Sequence, residues 1–191
     1  MDIITILKKL ANIFMSREKE EVEEETEANI LEIKDIMDKM PTHSTKEYPE
    51  RDLKEITHID IHHSASLTVN YSGIETIKSF ANHHINTHNW AGIGYHYIVT
   101  PDLEVYKTGF DSQSRWSVGN HNGYTISTLI VGSFDKEEIS EDQYDLALQL
   151  VRHKMRSYSV PKENVKGHNE YAGHSSNACP GINMEKFRGD L

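Results

Sequence analysis

Ile56-Thr57-His58-Ile59-Asp60-Ile61-His62-His63-Ser64 is the stretch whose reading decides the fold. Its Ile-rich first part, Ile56 to His62, is short and β-branched, as a buried strand must be. Within ten residues the period changes. From Ser72 to His88, Ile74, Ile77, Phe80, Ala81 and His84 recur on one face of a helix. Further out, Gly94–Thr100 and Glu104–Lys107 read as two strands joined by a Pro101-Asp102 turn, and Thr128–Phe134 as another apolar strand. Ser140–Tyr158 reads as a helix capped by Ser140, with Glu141 and Asp142 in its first turn. Val165–His168 is a short extended piece before an irregular loop that holds Cys179. Strands alternating with helices from residue 53 to 191 predict one α/β domain.

Residues 1–50 differ in kind. They carry 13 acidic and 7 basic groups, against a net charge of -10 for the whole chain of 191 residues. Ile3, Ile6, Leu10 and Ile13 repeat at helical steps. A Glu-dense run follows, and then Ile30, Ile33, Met37 and Met40 repeat the same spacing up to Pro41. The pattern predicts an acidic segment of two amphipathic helices and a polar linker through Pro49. These helices either pack on the main domain or dock a partner. Lys8 and Lys9 are the only cations in the first fourteen residues, few for a membrane-surface anchor. Lysines interrupt the apolar positions and no small-residue cleavage site follows, so no signal peptide is recognisable.

Charge and composition exclude several classes. An acidic chain with a pI near 5.6 lacks the basic footprint that nucleic acid requires. No apolar run reaches the length of a membrane span. A single cysteine rules out a disulfide scaffold.

Twelve histidines and that one cysteine carry the chemistry. In a strand, alternate side chains share a face, so His62 lies with His58 and Asp60 on the more polar side and His63 opposite. His62 is the histidine aimed at a cleft beyond the strand's end. Gly167-His168-Asn169-Glu170 and Ala178-Cys179-Pro180-Gly181 form a second cluster. Two His and one Cys make either a three-ligand zinc site with one open position or, if they do not meet, a buried free thiol and two ordinary histidines. His84 and His88, at i and i+4, are a rival metal pair, but the Glu of HExxH is missing. The alternative has His84 packed on the domain and His88 at the helix end. In Gly92-Ile93-Gly94-Tyr95-His96-Tyr97, alternation puts Tyr95 and Tyr97 on one face. A tyrosine hydroxyl there could donate to a developing oxyanion, or simply pack on the sheet. No GxSxG, phosphate loop or GxGxxG is present.

In order, Ile59-Asp60-Ile61-His62-His63-Ser64-Ala65, Trp90 to Tyr97, Val118-Gly119-Asn120-His121, Leu129 to Phe134, Gly167 to Glu170 and Ala178 to Gly181 resemble the zinc-dependent N-acetylmuramoyl-L-alanine amidases of type 2. That family includes phage lysins of the T7 lysozyme type and peptidoglycan recognition proteins. The resemblance runs from Ile56 to the C-terminus and implies a central mixed β-sheet flanked by helices, preceded here by the N-terminal helical segment. It implies one Zn2+ held by His62, His168 and Cys179, with Tyr95 as the catalytic tyrosine. His84 and His121 match groove positions that bind substrate, and Asn177 is placed with them. The implied activity is hydrolysis of the amide between N-acetylmuramic acid and L-Ala in peptidoglycan, with a non-catalytic peptidoglycan-binding module as the alternative. Synthesis in the cytoplasm of a bacterium or phage-infected host, and action on the cell wall, complete the expectation. This chain departs from the family in three ways. Asn177 stands where phage lysins carry Lys and others Thr, no carboxylate lies in Leu129-Ile130-Val131, and Gly173-His174-Ser175-Ser176 lengthens the loop before Cys179. The first two leave the general base unassigned.

Overall fold

The computed structural model describes residues 31–191. Its centre is strand β2, His58–His63, flanked by parallel neighbours on both sides, so its residues from Ile59 onward are all buried. A strand covered in this way buries both faces, the polar one of Asp60 and His62 as well as the apolar one of Ile59 and Ile61 that makes the run legible. Around it lie β1 (Lys34–Asp35), β3 (Tyr97–Val99), β4 (Val105–Lys107), β5 (Thr125–Ile130) and β6 (Val165–Gly167), in the order β1-β4-β3-β5-β2-β6. Only the β3–β4 pair is antiparallel, so the sheet is mixed.

Helix α1, Ile74–His88, covers one face and buries Ile77, Ala81 and His84. Ile77 and Ala81 join a cluster with Ile36, Met40, Ile93, Ile98, Leu129 and Val131. Each fully buried side chain of this size contributes about 1.5–3 kcal/mol. Asn89, in the left-handed conformation, ends the helix. Helix α2, Glu141–Tyr158, covers the opposite face and starts as expected, with the Ser140 hydroxyl accepting from the Gln143 N–H at 3.3 Å. Its buried Lys154 needs a counter-charge, and Asp111 provides it at 3.1 Å, with the Tyr97 ring 4.1 Å from the ammonium. A short α3, Met184–Gly189, follows the Cys179 loop and places Phe187 in the core.

Several expectations need correction. The second N-terminal helix is not present over residues 31–40. Lys34–Asp35 pairs as an edge strand with β4 and Met37–Lys39 is a single 3-10 turn. Ile36 and Met40 still reach the core, and Tyr48 is buried with its hydroxyl donating to Ile93 O at 2.8 Å. An edge strand plus a tight turn satisfies this spacing as well as a helix does, and packing decides between them. The first amphipathic helix lies outside the described residues. β5 begins at Thr125 rather than Thr128, because Thr125 and Ser127 are buried polar residues that hydropathy misses, and it ends at Ile130. β3 begins only at Tyr97, so Tyr95 and Tyr97 do not share a face. Tyr97 meets Lys154 of α2, while Tyr95 packs against the cluster on the α1 side. Residues Ile33–Leu191 form one compact unit, and among the described residues no helix is long and apolar enough to cross a membrane.

Candidate functional site

Parallel strands end together, and the carboxyl edge they share is where open α/β sheets hold their ligands. His62 lies near the end of β2, and His168 follows β6 directly. Register pairs Ile61 with Gly167, so the two histidines sit side by side, ring centroids 4.6 Å apart. Cys179 returns to them across the loop after His168. The Asn169 N–H donates to Cys179 O at 3.0 Å, and the Cys179–Pro180 peptide is cis. One donor atom each from His62, His168 and Cys179 falls within 4.8 Å of the others. Among the described residues this is the one such group of three; His84 and His88 belong to none.

The neighbours of His62 determine its chemistry. Asp60, fully buried two residues earlier on the same face, accepts from His62 Nε2–H at 2.6 Å and from the Ser117 and Ser127 hydroxyls at 2.9 and 3.1 Å. Burial works against a charged carboxylate, but the bonds from His62 and Ser117 win, and its pKa is lowered. With Nε2 committed, Nδ1 is the His62 nitrogen turned to Cys179, 3.5 Å from its Sγ. In a tetrahedral zinc site with ordinary bond lengths, nitrogen and sulfur ligands lie about 3.5 Å apart. The donor set and this spacing fit that metal. Burial opposes protonation of His62, but its neighbours Cys179 and Asp60 outweigh it, and its pKa is pushed up to about 9. His168 moves the other way, lowered to about 3 by burial first and then by its neighbours His62 and His174. His63 faces the far side, where its Nδ1 accepts from the Phe134 N–H at 3.1 Å.

Tyr95 stands beside this cluster, its ring 5.2 Å from His62 and 5.6 Å from His84. Gly94 makes the approach possible. A Cβ there would lie 2.7 Å from the Trp90 ring and 2.9 Å from the Trp116 carbonyl oxygen. Burial, with Cys179 and Asp60 nearby, raises the Tyr95 pKa, so its hydroxyl stays a donor at neutral pH. His84 accepts from the Gly94 N–H through Nδ1 at 3.1 Å and packs against Trp90, the rings tilted and 4.7 Å apart; burial, His88 and His83 lower it to about 4.

His121 and Asn177 lie in the surrounding loops. His121 Nε2 is 3.2 Å from Ala172 O, and its Nδ1 meets the Tyr124 hydroxyl. Both polar groups of Asn177 are used within its own loop: Nδ2 donates to His174 O at 2.7 Å and Oδ1 accepts from the Cys179 N–H at 3.0 Å. Two residues with a clear place here had no role on sequence grounds. Asp60 had a readable signal, its shared parity with His62. His174 had none, because it meets His168 at 3.0 Å and Gly119 O at 3.1 Å through long-range contacts.

A mixed-sheet α/β protein with two imidazoles and a thiol gathered at the ends of its parallel strands β2 and β6, and a tyrosine packed beside them, is the class that these observations define. The chain belongs to the N-acetylmuramoyl-L-alanine amidase family, whose profile matches residues 52–182. Solved structures of similar fold include the amidase LysC from Clostridium intestinale URNW (TM-score 0.65, 19% identity, covering 84% of this chain and 97% of that one). The Ph2119 endolysin from Thermus scotoductus MAT2119 bacteriophage Ph2119 is similar too (0.67, 20%, 83% and 97%). Drosophila peptidoglycan recognition protein SD also shares the fold (0.68, 17%, 79% and 89%). No curated protein sequence gives a match.

Proposed function

We propose that the chain hydrolyses the amide between N-acetylmuramic acid and L-Ala in peptidoglycan, using one zinc ion held by His62, His168 and Cys179. The observation that carries this reading is the convergence of these three donors beside Tyr95 in a member of the amidase family. Zinc in such a site supplies Lewis acidity towards the amide carbonyl and acidifies water, so that hydroxide is available near neutral pH.

The chain's own residues have distinct tasks. Asp60 holds the His62 ring by its Nε2–H and keeps the Nδ1 lone pair outward. Cys179 binds as thiolate, with its backbone N–H fixed by Asn177. The Tyr95 hydroxyl, kept protonated by burial, donates to the amide oxygen as that oxygen gains negative charge. His84 and its Trp90 neighbour, with His121 and Asn177 in the loops opposite, are the proposed substrate side of the cleft. Residues 53–191 carry the activity and the cell wall is its place of action.

A second reading, a module that grips muropeptide without cutting it, draws on one observation. Asn177 is spent on its own loop and β5 ends in Leu129-Ile130, so neither offers a proton acceptor. One experiment separates the two: mass spectrometry of peptidoglycan digested by wild type and Cys179→Ala. Hydrolysis predicts new L-Ala amino termini with wild type and none with the variant, which also loses its zinc. Muropeptide binding without turnover, unchanged in His62→Ala, would sink the enzyme reading.

A further inference from the structure

We propose that His174 is a positioning residue that holds His168 in the tautomer a metal ligand needs. The inference rests on the metal reading above. It begins at the backbone carbonyl of Gly119, an oxygen that can only accept. His174 Nε2 lies 3.1 Å from it, so Nε2 carries the proton of the neutral ring. That leaves Nδ1 of His174 as an acceptor. The atom 3.0 Å from this Nδ1 is Nε2 of His168, which must therefore carry its own proton. Nδ1 of His168 is left as a lone pair. With both rings neutral, these assignments are the one consistent solution. Reversing it would face the His174 Nε2 lone pair towards the Gly119 oxygen and put a proton on the His168 nitrogen needed for metal.

Asp60 does the same for His62, using a carboxylate where His168 has an imidazole and a peptide carbonyl. Both histidines then offer Nδ1. The loop that bears His174 is itself fastened. His121 of the facing loop reaches Ala172 O at 3.2 Å, while His174 reaches Gly119 O, so each loop gives one histidine to the other's backbone. Within its own loop, the His174 carbonyl accepts from Asn177 Nδ2 and the Asn177 amide oxygen holds the Cys179 N–H. The Gly173-His174-Ser175-Ser176 segment is thus tied to the third ligand through its backbone and to the second through its imidazole.

The test compares full-length wild type, His174→Leu, His174→Asn and Cys179→Ala. Zinc affinity is measured by chelator competition, and histidine tautomers by long-range 1H–15N correlation on the metal-free proteins. Asn presents Oδ1 near the place of the histidine Nδ1 and restores an acceptor; Leu does not. We expect the His168 ring of the wild type to carry its proton on Nε2. His174→Leu should lose that preference and bind zinc about 10- to 100-fold more weakly, the range found for such outer partners. His174→Asn should recover most of both. Unchanged affinity and tautomer in His174→Leu would overturn the role of His174 and leave the metal site standing. Equal losses in the Leu and Asn variants would reduce His174 to a loop filler and overturn it too. If wild type binds zinc no better than Cys179→Ala, the metal reading falls, and the inference with it.

Discussion

Tyr95 and its neighbours show how a single side chain acquires a function from its packing. Gly94 has no Cβ, so the backbone can pass between the Trp90 ring and the Trp116 carbonyl and deliver the next ring to within 5.2 Å of His62. Tyr95→Phe removes only the hydroxyl. Loss of one oxyanion donor lowers kcat about 100- to 1000-fold. Assays on a soluble muropeptide should find that loss with zinc content and melting temperature near those of wild type. Loss of zinc together with activity would instead mean that Tyr95 holds the site's shape. The sequence makes Tyr95 visible, through its glycine-flanked setting, but not its face. Strict alternation would align it with Tyr97, and it fails because the regular strand starts two residues later. His62 against His63 is the opposite case. There the alternation holds over six paired residues, and the parity rule picks the histidine that meets His168 and Cys179.

Among the elements, those that formed long amphipathic patterns were legible and those made by pairing at a distance were not. Helix α1 buries Ile77, Ala81 and His84 of the face that its periodicity marks, with Ile74 and Phe80 partly buried beside them, and Ser140 caps α2 as its chemistry requires. Lys34–Asp35 has no pattern to read: two charged residues become a strand because β4 leaves an edge for them. The segment around it matters for stability, since Ile36 and Met40 are 3% and 8% exposed in the same cluster as Ile77 and Leu129. Ile36→Ala should cost about 2–5 kcal/mol, as buried Ile→Ala changes do. Urea unfolding would measure it. A cost below 0.5 kcal/mol, the scale of about an ordinary surface substitution, would show that residues 33–40 do not share the core.

For the whole molecule, the buried neutral histidines set the acid limit. His84 is lowered to about 4, by burial and then by His88 and His83, and His96 to about 3, by burial and then by Arg51. Both take up a proton in the unfolded chain near the ordinary value of about 6.5, and in the native state only well below it. Folded values below the unfolded value mean that their contribution is complete above about 6.5 and is lost as pH falls towards the folded values. His168 adds in the same sense. His62, pushed up to about 9, is protonated in both states through this window and is silent. Each depressed group removes up to about 1.4 kcal/mol per pH unit. Unfolding free energies of the metal-free protein at pH values between about 6.5 and 4 should therefore fall steeply. A flat profile would mean that these imidazoles are solvated.

One arrangement reaches beyond any single measurement. The two histidines of the candidate centre are carried at the ends of adjacent strands locked by the Ile61–Gly167 register, whereas Cys179 and His174 ride on the irregular connection behind them. The nitrogen positions are thus inherited from the sheet. The sulfur and the imidazole behind His168 are supplied by a stretch that can lengthen or change composition without moving a strand. A lineage built this way can experiment with the loop while half of its centre stays fixed. The Gly173–Ser176 segment, with His174 placed behind His168, lies in the part of the centre that has this freedom.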